Sequence, residues 1–172
     1  MLKIGKLRGS PGDETFAIRG TLGLQAGLAG ALDPTTRGLQ IRLEDVGTSE
    51  PLIDLTAAST PVPPGGRGSG CDAHDGWKKL AYRNKSGAVP PLCAAGSAHG
   101  LRSVRLKDER LGGGGIAFVI NGRGASLAKP TGPLRLTIVL GADRAAGLDG
   151  ACGTHVFEQT SCKSKRAVFR CK

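Results

Sequence analysis

Cys71-Asp72-Ala73-His74-Asp75, followed by Cys93 and His99, is the densest set of reactive side chains in the chain. Cys71, His74, Cys93 and His99 offer two thiolates and two imidazoles, the donor types that a tetrahedral zinc ion takes. Asp72 or Asp75 would orient the imidazoles from behind. The first pair is workably spaced, but Cys93 and His99 are loosely so. A Cys71–Cys93 disulfide with both histidines on exposed loops is therefore the preferred reading, and zinc the weak alternative. No cofactor is assigned.

The chain has five cysteines, and the other three are Cys152, Cys162 and Cys171. A hairpin turning across residues 160–165 would set Cys152 opposite Cys171 and leave Cys162 odd. A Cys152–Cys162 pair is the alternative, and spacing leaves both open. Cys71, Cys93, Cys152 and Cys171 are thus the disulfide candidates. All five cysteines fall in turn-rich or C-terminal segments. That placement predicts an oxidising compartment, extracellular or at a cell surface.

Patterns for catalysis are thin. Cys152 and His155 mimic a nucleophile and base, but a catalytic thiolate needs an electropositive setting such as a helix start, and no helix is predicted there. Ser126-Leu-Ala-Lys129 has the Ser-x-x-Lys spacing of some acyl-transfer enzymes without its companion motifs. Gly112 to Gly115 lacks the following Gly-Lys-Ser/Thr and helix of a phosphate loop, so it predicts a hairpin connection. No two carboxylates share a convincing strand face, which argues against glycoside hydrolysis. The expectation is a non-enzymatic protein with no catalytic residue assigned.

Binding chemistry fares better. The formal net charge is +10. Residues 1–60 hold six Lys/Arg against seven Asp/Glu, residues 61–130 eleven against four, and residues 131–172 seven against three. The excess is centred on Lys78, Lys79, Arg83, Lys85, Arg102, Arg105 and Lys107, the candidate residues for a polyanion. The charges alternate along strands, which equally suits a solubilising surface that blunts strand edges. Trp77 is the candidate for stacking on a ligand. Read as one strand from Trp77 to Asn84, the spacing puts Trp77 and Tyr82 on opposite faces, so only one could meet a ligand. Asn84-Lys85-Ser86 is a glycosylation sequon.

The elements that must position these residues are strands. Leu39, Ile41 and Leu43 alternate with Gln40, Arg42 and Glu44, and Leu134, Leu136, Ile138 and Leu140 repeat the pattern. Further strands are expected at 2–7, 16–25, 52–55, 77–84, around Val104 and Leu106, at 116–120, 154–158 and 166–171. Asn121-Gly122 reads as a turn. Two glycines in residues 26–32 argue against a helical turn there. With 28 glycines, 10 prolines and six aromatics, the core must be chiefly Leu, Ile and Val. Gly38-Leu39 and Gly100-Leu101 lead into similar strands; amphipathic strands look alike, and a duplication is the alternative.

The fold predicted is all-β: an antiparallel β-sandwich, with a β-barrel as second choice, Gly/Pro-rich loops and little or no helix. It is read as a single domain over 1–172, with a long loop at about 59–76 and a Cys-containing hairpin at 152–172. No apolar segment of signal-peptide length follows Met1, and no apolar run is long enough to span a membrane. The functional expectation is a secreted or cell-surface structural or adhesive module that self-associates as a unit of a larger surface assembly or fibre. The alternatives are a polyanion-binding module, for acidic polysaccharide before nucleic acid, and a zinc-stabilised intracellular protein.

Overall fold

The computed structural model describes residues 1–23, 32–56, 58–143 and 151–172. The extension of the second strand to Leu24 and Gln25 lies outside them, as does the segment 26–31. Among the described residues twelve strands run β1 (Leu2–Gly5), β2 (Glu14–Leu22), β3 (Gln40–Asp45), β4 (Pro51–Leu55), β5 (Gly76–Lys78), β6 (Ala81–Arg83), β7 (Leu101–Asp108), β8 (Ile116–Ala125), β9 (Leu134–Val139), β10 (Cys152–Phe157), β11 (Cys162–Lys165) and β12 (Val168–Cys171). The one α-helix described is a single turn, α1 (Pro34–Arg37), where the Asp33 carboxylate caps the N–H groups of Thr35 and Thr36.

The strands form two antiparallel sheets, β11-β12-β1-β2-β8-β7-β6-β5 and β10-β9-β3-β4, packed as a sandwich. Both are open at their edges, so the barrel alternative falls. In the large sheet, register lines up side chains in rows that cross every strand. One row reads Cys162, Cys171, Leu2, Ile18, Ile120, Val104, Tyr82 and Trp77. From Cys171 to Trp77 all of its members are buried. Facing it are Ile41 and Leu43 of β3, Ile53 and Leu55 of β4, and Leu134 and Ile138 of β9. Each aliphatic side chain so buried contributes about 1.5–3 kcal/mol, which is how a core with few aromatics holds.

One expected strand is broken by a turn, and two expected turns are displaced. Trp77 to Asn84 is a hairpin, not one strand: β5 and β6 meet at Lys79, whose φ of 54° lies in the left-handed region. Trp77 and Tyr82 therefore face each other on one side, with ring centroids 5.1 Å apart. Asn121-Gly122 is mid-strand in β8, opposite Ala17 and Phe16. The Phe16 ring lies over Gly122, where a Cβ would sit 2.0 Å from a ring carbon. Phe118 covers Gly20 in the same way. At the C-terminus the chain turns at Arg166, φ 56°, between β11 and β12, while β10 belongs to the other sheet.

That last shift changes the cysteine pairing. Cys162 is opposite Cys171 in the β11–β12 ladder, and these two form the disulfide. The expected Cys152–Cys171 pair is wrong because Cys152 opens β10 opposite Val139, in the smaller sheet. Cys71 and Cys93 form the second disulfide, as expected.

Residues 58–75 stay irregular but are pinned. Leu39 and Val62 exchange backbone hydrogen bonds, the Gly65 N–H donates to Thr35, and the Trp77 indole N–H donates to the Pro63 carbonyl at 2.9 Å. No helix among the described residues is long and apolar enough to cross a membrane.

Candidate anion-binding site

Tyr82 is buried, so its neighbours Ala81 and Arg83 must point out of the sheet. Register places Arg105 of β7 beside Ala81, and Lys78 of β5 on its other side. Arg83 pairs with Ser103. A bulge in β7 between Leu101 and Ser103 makes Arg102 the extra residue of the ladder. Bulges re-aim side chains, and here Arg102 donates to the carbonyls of Lys85, at 2.7 Å, and Arg123, at 3.4 Å. It bridges the loop after β6 to β8.

These residues surround a depression of about 420 Å³ on the outside of the large sheet. Lys78, Arg83, Lys85, Arg102 and Arg105, five of the seven polyanion candidates, line it together with Arg67, His74, Ala81, Tyr82, Asn84 and Ser103. No carboxylate is among these lining residues. Arg67 was missed because it sits in the Gly/Pro-rich segment with no strand periodicity to place it. Two candidates stand apart. Lys79 occupies the β5–β6 turn, and Lys107 is committed to Glu109 at 2.8 Å, which raises its pKa.

Two acids lie nearby and both are engaged. The Asp72 carboxylate accepts from the His74 backbone N–H and contacts the His74 ring nitrogen Nδ1, each at 2.8 Å. Those bonds, with the Lys85 charge, hold Asp72 below the usual carboxylate range. Asp75 is fully buried; its carboxylate accepts from the N–H groups of Lys85 and Ser86 and from the Ser86 hydroxyl. It thereby anchors the loop that presents Lys85. Burial, then the Asp75 charge, pushes the Tyr82 phenol above its ordinary pKa. The hydroxyl lies near Asn84 but within hydrogen-bond geometry of no described group.

Three sequence candidates do not serve as proposed. Trp77 is 2% exposed and its indole N–H is taken by Pro63, so it is a core residue, not a stacking platform. The odd spacing misled because a turn intervenes before Tyr82. Cys71 and Cys93 are joined to each other, so with His74 and His99 they offer no thiolate set for zinc. Asn84 is buried and its amide donates to the Ala88 carbonyl at 2.9 Å, which closes the sequon to a glycan in the folded chain. Ser126 and Lys129 lie in the irregular stretch after β8.

What the depression can do follows from its donors. Guanidinium groups remain charged and offer forked N–H pairs that match sulfate, phosphate and carboxylate. Lysines add point charges. Such a set offers charged donors of the kind an anion accepts from. No protein-family model, curated protein or solved structure matches this chain.

Proposed function

We propose that this chain is a non-enzymatic, secreted or cell-surface adhesive module that binds acidic polysaccharide on the outer face of β5, β6 and β7. The observation that carries the reading is the convergence of Arg67, Lys78, Arg83, Lys85, Arg102 and Arg105 on one depression with no acidic lining residue. Two disulfides fit an oxidising compartment, where acidic glycans are the abundant polyanions. Single-stranded nucleic acid is usually held by exposed aromatics beside the cations, and both aromatics here are buried.

Assembly through strand edges has less support. β5 is three residues long, β11 carries Lys163 and Lys165, and β4 begins with Pro51. Shortness, charge and proline are the devices that keep sheet edges from pairing.

The test is titration of sulfated and carboxylated polysaccharides, with single-stranded and duplex DNA in parallel, across a salt series. The expected result is polysaccharide binding that weakens steeply with salt, and roughly tenfold weaker binding for Arg83→Glu/Arg105→Glu, equivalent to ~1.4 kcal/mol. Salt-independent binding, an unaffected double variant, or a preference for nucleic acid would each overturn the reading.

A further inference from the structure

The depression lies at one end of a longer cationic row. Arg83 is in register with Ser103 of β7, which is in register with Asn121 of β8 and then Ala17 of β2. The same row continues to Lys3 of β1, Arg170 of β12 and Lys163 of β11. Those last three are exposed, directly adjacent across three strands, and make no ion pair with any described residue. Like charges directly opposite one another destabilise a sheet. This row therefore carries a repulsion that an anionic occupant would relieve.

The ground between is also free of acids. In the flanking outward rows Arg19 pairs with Val119, which pairs with Arg105, and Arg123 pairs with Thr15. The middle thus offers Ser103, Asn121 and Thr15 with the apolar Ala17 and Val119, flanked by Arg19, Arg105 and Arg123. The outer face of the smaller sheet contrasts sharply: there Glu44 pairs with Arg42 at 2.7 Å and with Arg135 at 3.0 Å, and Asp54 lies opposite Arg42. The excess charge belongs to one side of the sandwich.

We infer that Lys3, Arg170 and Lys163 form a second anion-binding subsite, and that one acidic polysaccharide chain runs from it across the sheet to the Arg83 depression. The inference rests on the polysaccharide reading above. Arg83 is four strand spacings from Lys3 and six from Lys163 in the sheet order. At about 4.8 Å per spacing these are roughly 19 and 29 Å. Adjacent strands rotate by roughly 20–25°, so the path curves as it crosses. A flexible polysaccharide follows such a path without strain, whereas a DNA duplex would have to bend to follow any curvature, at an energetic cost.

The experiment is a length series of size-fractionated heparin oligosaccharides, titrated into wild-type protein and into Lys3→Ser/Arg170→Ser/Lys163→Ser. In the wild type, affinity should climb about tenfold or more once the chain is long enough to reach both subsites, then level off. The triple variant should bind short oligosaccharides as the wild type does and lose the gain with length. Its thermal midpoint should be no lower than wild type, because the substitutions remove repulsion. Equal wild-type affinity for short and long chains, or an undiminished gain in the triple variant, would overturn the second subsite while leaving the depression. Failure of short chains to bind, with no effect of Arg83→Glu, would overturn the polysaccharide reading and this inference with it.

Discussion

Asp45 shows how much a single buried carboxylate organises. Its oxygens accept from the N–H groups of Gly47, Thr131 and Gly132 and from the Thr131 hydroxyl, fastening the turn after β3 to the loop before β9. Burial alone would raise its pKa, but those four donors outweigh it and hold the group below its ordinary value. A depressed folded pKa stabilises the fold at pH above the unfolded value, about 3.9, and the contribution is lost as pH falls through the folded value. Urea midpoints should hold from neutrality to mild acid and drop only below the ordinary carboxylate range. Asp45→Asn should flatten that acid limb; an unchanged limb would remove Asp45 from the account. Asp75→Ala removes the acceptor that the part-buried Lys85 and Ser86 N–H groups share and should cost about 2 kcal/mol by denaturant titration, with Asp75→Asn milder. Gly122→Val would put side-chain atoms where the Phe16 ring lies and should cost about 2 kcal/mol. None of these three roles was legible beforehand. Asn-Gly is a turn signal in isolation, and only the ring from the neighbouring strand makes glycine a strand residue here.

Strand identity was the legible part, because alternation is local and one buried face forces it. β3 (Gln40–Asp45) and β9 (Leu134–Val139) lie where the pattern put strands. Pairing was not legible, because register depends on partners far apart in the chain. Cys162 meets Cys171 only because β10 leaves for the other sheet, and nothing in residues 152–172 marks that crossing. The Cys71–Cys93 bond could be read because both residues flank turn-rich segments with little else to hold them. It joins the 59–76 segment to the loop after β6, across a sequence separation of 22. Closing a loop of that length lowers the entropy of the unfolded chain by an amount worth roughly 3 kcal/mol. Cys71→Ser/Cys93→Ser should lower stability by about that much. A loss under about 1 kcal/mol would mean that the hydrogen bonds of Val62, Gly65 and Trp77 hold the segment by themselves.

At the scale of the molecule the notable property is polarity of charge. The sequence shows the +10 excess but hides its geometry, since alternating cations along a strand look evenly spread. Folding stacks every second residue of eight strands into shared rows, and Lys3, Arg83, Arg105, Lys163 and Arg170 come to one side of the sandwich. The residues that read most like a site, Trp77 and the Cys/His set, went to the core and to a disulfide. Those that read as solubilising charge make the candidate surface. The central claim is that this side, and not the other, meets an acidic polymer. Backbone amide shift mapping tests it most directly, by adding a heparin oligosaccharide to isotope-labelled protein at low salt and reversing it with high salt. Shifts are expected at Lys78, Arg83, Lys85 and Arg105 and in the adjoining outer rows of β7 and β8, with β3, β4 and β9 silent. Shifts centred on the smaller sheet, or none that salt reverses, would contradict it.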